Sequence, residues 1–397
     1  MTPWLERPTA AGAAATHALV IGTSYYEFLP QSDEDPDPID RETFGLRQTK
    51  TPATSAWNFA KWLRDSYNNP NAPLATVTLL LSPSEWEKQH VPELANLPQE
   101  VVRATRDNVE QAVDQWHDAA NTNAGNVAVL YASGHGIQLS KDEGGIVLLE
   151  DFARRKGTPL DHSLDVGAVR RGMAGATMAQ QQFYFVDACE VRPREAVDYQ
   201  SMGTGVDLAN PFEGAPRCSA VYFSASPSTE ALGQPGKGTL FVQALLECLE
   251  LGAVDDHVHE NGWWVVTTST LMRALPRRVA ELARGFKYEQ TPTTGGQLAD
   301  VIFHVLPGQP DVPVTLELDP PGAATCVLAR LWDGIETSIF DDERFTPPET
   351  PTLTSTVPAG QYVLTVSIDP PTPPYRELAA LPIPALPPAF YRKVPVG

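Results

Sequence analysis

Cysteine is scarce in this chain: four in 397 residues, at positions 189, 218, 248 and 326, with no C-x-x-C spacing. That sparsity excludes a disulfide framework and a zinc ribbon, and it fits a reducing, cytoplasmic location. Positive charge is also short. Lys and Arg number 29 against 49 Asp and Glu, a net charge of −20. Such a surface repels nucleic-acid phosphates and anionic membranes, so neither is an expected partner, whereas a basic protein or peptide segment is. No apolar run approaches the length of a membrane span. The opening MTPWLERPTAAGAAATH has a Glu and no basic stretch ahead of an apolar one, so residues 1–16 read as a flexible tail and not a targeting segment. No metal or cofactor is expected. The acids and i, i+2 histidines of DDHVH (255–259) are a candidate metal cluster and the acids of SDEDPD (32–37) a candidate calcium loop, but both read better as solvated loops. GQPGKGT (233–239) lacks the spacing and the Ser/Thr after Lys that a phosphate loop needs.

What the chain does have is a strand–helix alternation. HALVIG (17–22), ATVTLLL (75–81), NVAVLYAS (126–133), QFYFVDA, SAVYFSAS (219–226) and ADVIFHVL (299–306) read as strands. GIVLLE (145–150) is a shorter strand or hairpin arm. Between them, SAWNFAKWLRDSY places Trp57, Ala60 and Leu63 at helical spacing, and 104–120 gathers Val109, Ala112, Val113 and Trp116 on one face. LDVGAVRRGM, GTLFVQALLECLELG and 267–285 read as further helices. The strands are apolar throughout, as strands buried on both faces are. The pattern predicts a mostly parallel α/β sheet covered by helices on both sides. In such sheets chemistry gathers outside the carboxyl ends of the strands.

Composition changes near residue 307. The last 91 residues hold 18 of the 37 prolines, with the alternating runs VPVTLELD and TSTVPAGQYVLTVSID. These predict a small all-β, sandwich-like domain over 307–397, beside the α/β domain over 17–306.

Two strand ends carry chemistry. YASGHG (131–136) sets His135 between glycines, and DACE (187–190) ends another apolar run on a thiol. A cysteine after a strand is ordinarily an inert core thiol, and Cys218, Cys248 and Cys326, in apolar surroundings, read so. Cys189, with acids beside it and a glycine-flanked histidine 54 residues upstream, fits a nucleophile with its base. The glycines let a substrate backbone approach. They also leave the Gly136 N–H, with that of Cys189, as donors to a developing oxyanion.

Taken in order, ALVIGTSYY, LYASGHGI, FYFVDACE and YFSASPSTEAL…GKGTLFVQALLE resemble the caspase-like cysteine peptidases, a group that includes metacaspases and bacterial relatives. The resemblance spans roughly 17–306 and implies a three-layer caspase-like sandwich. It makes Cys189 the nucleophile, His135 the general base, and the amides of Gly136 and Cys189 the oxyanion hole. Asp187 stands where metacaspases keep the acid that selects Arg or Lys at P1, and Ser224 and Ser226 lie on the matching groove strand. The alternatives are that Asp187 hydrogen-bonds nearby amides and that the serines are a plain strand end. Metacaspases usually carry a second acid before the first helix; Thr54 and Ser55 stand there instead, leaving Asp33 to Glu42 as another source. Glu190 and Val191 depart from the family's residues after the nucleophile. The polar stretch 190–217 implies a loop open to self-cleavage at Arg192, Arg194 or Arg217. Bacterial members act in cell death or antiphage defence when switched on by a protein partner, a role the C-terminal domain could serve. The competing reading is a catalytically degenerate scaffold.

Overall fold

The computed structural model describes residues 1–397 apart from 33, 38–41, 138–144, 176–177, 190–204, 209–217, 226–232, 254–261, 285, 287–289, 336, 346–350 and 373. The described residues divide into two compact units. One comprises Met1–Leu246 with Thr267–His304, the other Glu247–Val266 with Val305–Gly397.

The first unit is built on a seven-stranded sheet. Its strands are β1 (Leu5–Glu6), β2 (Thr16–Thr23), β3 (Leu74–Ser82), β4 (Val127–Gly134), β5 (Gln181–Ala188), β6 (Cys218–Phe223) and β7 (Thr293–Gln297), in the order β1-β3-β2-β4-β5-β6-β7. The five inner strands are parallel, and β1 and β7 close the edges antiparallel. Every residue of β2 and β4 is buried, as continuous apolar runs require when helices cover both faces. Residues two apart share a face. Leu130, Ala132, Tyr184 and Val186 pack with Val109, Val113 and Trp116 of α2 (Arg106–Ala120) and with Val166 and Val169 of α3 (Val166–Gly172). On the other face Tyr131 stacks on Phe59 of α1 (Pro52–Asp65), with ring centroids 4.7 Å apart. Tyr222 donates to the Thr268 carbonyl of α5 (Thr268–Leu282) on that same face. Helix α4 (Leu240–Glu250) starts there too, at Thr239. The result is the expected three-layer α/β sandwich.

Gly22 shows how tightly the layers fit. A Cβ there would sit 2.6 Å from the Ala56 methyl and 2.9 Å from the Pro52 carbonyl, so α1 can lie on β2 only over a glycine. The first turn of α1 has Pro52 near its start and no side-chain cap of its own. Instead Ser24 Oγ accepts from the Ala53 N–H, and Glu87 Oε1 accepts from the Thr54 N–H, both at 2.9 Å. Those distant acceptors satisfy N–H groups that any helix start leaves open, and the Glu87 charge complements the helix dipole.

Three elements differ from expectation. Residues 1–16 are not merely a tail, because Leu5 and Glu6 pair with Val77 and Thr76 and Trp4 packs against Trp57. One aromatic anchor in an otherwise polar stretch is enough to dock it. The strand expected at 299–306 is shorter, Ile302–Val305, and lies outside the main sheet. The edge of the main sheet is taken by β7, whose Thr-Thr-Gly-Gly-Gln sequence has little strand propensity but pairs in register with Ser219–Phe223.

The second unit holds a three-stranded sheet (Thr352–Pro358, Asp311–Asp319, Phe390–Pro395) and a four-stranded one (Ser338–Glu343, Val327–Trp332, Gly360–Ile368, Leu378–Ala385). Asp311–Asp319 alternates buried and exposed positions, as a strand with one wet face does. Val314, Leu316, Leu331, Leu364 and Ile383 share one apolar core, the core of a β-sandwich. Among the described residues, no helix of either unit is long and apolar enough to cross a membrane.

Candidate active site

The pairing of β4 with β5 sets the site. Ser133 lies opposite Asp187 and Gly134 opposite Ala188. Parallel neighbours run about 4.8 Å apart, so the chain leaves the two strands side by side, with His135 next on one and Cys189 next on the other. Of the four cysteines, Cys189 is half-exposed and Cys218, Cys248 and Cys326 are buried. Gly136 fits closely against the strand that ends on Cys189: a Cβ there would overlap the Cys189 carbonyl oxygen and sit 2.7 Å from the Ala188 methyl. Glycine is therefore required after the histidine for packing. Gly136–Ile137 also pairs antiparallel with Ile146–Leu148, Gly136 facing Val147. The Leu148 N–H donates to the His135 carbonyl at 2.9 Å, so Gly136 and Val147 are the non-hydrogen-bonded pair of that ladder. In the alternation of an antiparallel ladder, the Gly136 N–H then points away from it.

His135 is held at three points. Its N–H donates to the Tyr26 hydroxyl at 2.7 Å, and that hydroxyl donates to the Thr23 carbonyl at 3.1 Å. The Tyr26 and His135 rings lie 5.1 Å apart. His135 Nε2 lies 2.6 Å from the Arg47 carbonyl oxygen. A carbonyl only accepts, so Nε2 carries the proton and Nδ1 keeps its lone pair. The Arg47 carbonyl is itself placed by the next residue. The Gln48 side chain accepts from the Tyr26 N–H and donates to the Tyr26 carbonyl, both at 2.8 Å, an amide standing in for a strand partner. Burial lowers the His135 pKa, with the Arg47 carbonyl opposing in part, which favours the neutral, proton-accepting ring.

Asp187 is buried, 1% exposed, on the α1 face of the sheet. Its Oδ2 accepts from Tyr131 at 2.6 Å, Thr239 at 2.5 Å and, at longer range, Ser133 at 3.4 Å. Its Oδ1 is buried and has no hydrogen-bond partner among the described residues. Burial pushes the carboxyl up to about 6, against the lowering effect of the hydroxyls. Thr239 joins this cluster to two helices: its Oγ accepts from the Val242 N–H of α4 at 3.1 Å, and its N–H donates to Ser55 Oγ of α1 at 2.9 Å. Ser224 lies beside the cluster and donates to the Ala188 carbonyl at 3.0 Å.

Of the residues singled out from the sequence, His135, Gly136, Asp187, Cys189 and Ser224 converge at this end of the sheet. Thr54 and Ser55, where a second acid was sought, diverge in role. Ser55 meets Thr239, while Thr54 gives its N–H and hydroxyl to Glu87 Oε1, each at 2.9 Å. Ser84 gives its N–H and hydroxyl to the other Glu87 oxygen at 3.0 and 3.1 Å. All four bonds saturate Glu87, so this acid braces α1 and is not left open to a ligand. Ser226, Asp33, Glu190, Val191, Arg192, Arg194, Arg217 and the DDHVH stretch lie outside the described residues. No group of acids, histidines or cysteines that could hold a metal occurs among the described residues. Sequence reading missed Tyr26, Gln48, the Arg47 carbonyl, Tyr131, Ser133 and Thr239. Tyr26, Tyr131, Ser133 and Thr239 sit within stretches that carried the resemblance, but none of these positions announces its partner.

A search among curated proteins finds no match to the chain. The family model of the caspase domain, peptidase C14, matches residues 15–301, which is the whole stretch from β2 through β7. A match over most of the chain, on the strands that carry the histidine and the cysteine, settles the family: the chain belongs to the caspase-domain cysteine peptidases.

Proposed function

We propose that this chain is an active cysteine endopeptidase working through a Cys189–His135 dyad and cleaving after a basic residue. The observation that carries the reading is the tautomer. With Nε2–H committed to the Arg47 carbonyl, Nδ1 is the atom left to take a proton on the ring that leaves β4 beside the half-exposed thiol. In this mechanism His135 Nδ1 takes the thiol proton and the Cys189 sulfur attacks the scissile carbonyl. The Gly136 and Cys189 N–H groups hold the oxyanion. His135 then protonates the leaving amine, and water, activated by the same ring, releases the acyl group and restores the thiol.

The basic P1 reading rests on Asp187. A buried carboxylate with one oxygen unpartnered is costly until a cation reaches it. The net charge of −20 adds a general attraction for basic segments. At the cellular level, the reading is a partner-switched effector of bacterial cell death or antiphage defence, with the C-terminal β unit receiving the partner. What supports it is the family resemblance and the presence of a separate sandwich. Intact-mass analysis tests the chemistry: a peptidyl-Lys acyloxymethyl ketone should add one peptidyl mass to the full chain, mapped to Cys189, and none to Cys189→Ala. Labelling elsewhere, or none, would favour a scaffold.

A further inference from the structure

The two oxygens of Asp187 are not equivalent. Oδ2 already receives the hydroxyls of Tyr131 and Thr239 at 2.6 and 2.5 Å, with Ser133 at 3.4 Å, which fills its lone pairs. Among the described residues Oδ1 receives no hydrogen bond, though it is buried; the Ser224 hydroxyl, the fourth one acting on this carboxyl, is turned to the Ala188 carbonyl. We infer that this site takes lysine in preference to arginine at P1.

A guanidinium binds a carboxylate best as a fork, two parallel N–H groups to two oxygens. Here one tine has no acceptor, because Oδ2 is spent. A guanidinium would also bury five N–H donors where Oδ1 and the oxygens of Ser133 and Ser224 offer three acceptors, so at least two donors are left over, and each costs free energy. An ammonium is a point charge with three donors. One reaches Oδ1, and the oxygens of Ser133 and Ser224, both fully buried at the same strand ends, have lone pairs for the others. Asp187 lies two residues before Cys189, about 6.6 Å along the strand, a span that a four-carbon stem covers. The donors that spend Oδ2 are themselves fixed. The Thr239 hydroxyl is held by the Val242 N–H of α4, and Tyr131 is wedged against Phe59. Oδ2 is thus not readily released to complete a fork.

The inference rests on Asp187 being the partner of a basic P1 residue, and binding separates the two ideas without requiring turnover. Full-length Cys189→Ala is titrated at pH 7.5 with three fluorescent peptides that differ only in P1: lysine, arginine or norleucine. The lysyl peptide should bind about 10- to 100-fold tighter than the arginyl one, the worth of one charged hydrogen bond. Arginine binding as well as lysine or better, with both ahead of norleucine, overturns the lysine preference and leaves the basic reading standing. Lysine no better than norleucine overturns both. Adding Tyr131→Phe removes one oxygen and one donor to Oδ2, so it should narrow the lysine–arginine gap; an unchanged gap contradicts the cause assigned here.

Discussion

Removing the charge at Asp187 gives a stability change whose sign and size follow from burial. The carboxyl is pushed up to about 6 from an ordinary 3.8, chiefly because burial disfavours its charged form. Between those values the folded chain holds a proton that the unfolded chain has released. Stability therefore falls as pH rises, since it falls wherever the native state binds more protons. The effect is complete above the folded value and absent below the unfolded one. A difference of roughly two pKa units corresponds to about 3 kcal/mol. Asp187→Asn keeps an oxygen for Tyr131 and Thr239 but cannot titrate. Chemical denaturation of both proteins from pH 3.5 to 8, followed by Trp fluorescence, isolates this contribution as the difference between them. Relative to Asp187→Asn, the wild type should lose about 3 kcal/mol as pH climbs from about 3.5 to 7. A difference that stays flat, or one that changes with the opposite sign, would refute a buried carboxylate strained by desolvation. Over the same pH range, peptide binding should show the preference for a basic P1 only as Asp187 ionises.

Tyr26→Phe leaves the part-buried His135 N–H without its acceptor, so stability should drop by about 1 kcal/mol, with kcat falling and KM little changed. Gly136→Ala forces a methyl into the Cys189 carbonyl; a misplacement near 1 Å costs about 100-fold in rate, and circular dichroism should show the fold retained. Glu87→Ala strips four hydrogen bonds from the start of α1 and from Ser84, and thermal unfolding should show a loss of about 3 kcal/mol or more. Because burial lowers the His135 pKa, the acid limb of kcat/KM should lie below the ordinary histidine value of about 6.5; a limb above that value would mean the ring is charged at rest.

The sheet was legible because its inner strands are buried on both faces and so read as unbroken apolar runs. The proposed nucleophile and base stand out in the sequence because each ends such a run: the glycines mark His135 and the acids mark Cys189. What surrounds them was not. Tyr26 and His135 are 109 residues apart, and Ser55 and Thr239 are 184 apart. No periodicity encodes a hydrogen bond across that distance. Gln48 imitates a backbone partner with its side chain, an act with no compositional signature. Glu87 lies on a six-residue helix, Glu85–His90, too short for periodicity to reveal. At β7 the register with β6 outweighs a glycine-rich sequence of poor strand propensity.

The central claim is that a Cys189 thiol and a His135 base, leaving adjacent strands, cleave peptide bonds. It is tested most directly by kcat/KM on a lysine-P1 peptide for the full chain beside Cys189→Ser and His135→Ala, with circular dichroism to confirm that both fold. The account predicts cleavage by the wild type and a loss of at least about 1000-fold in each variant. Cleavage that survives either substitution would contradict it.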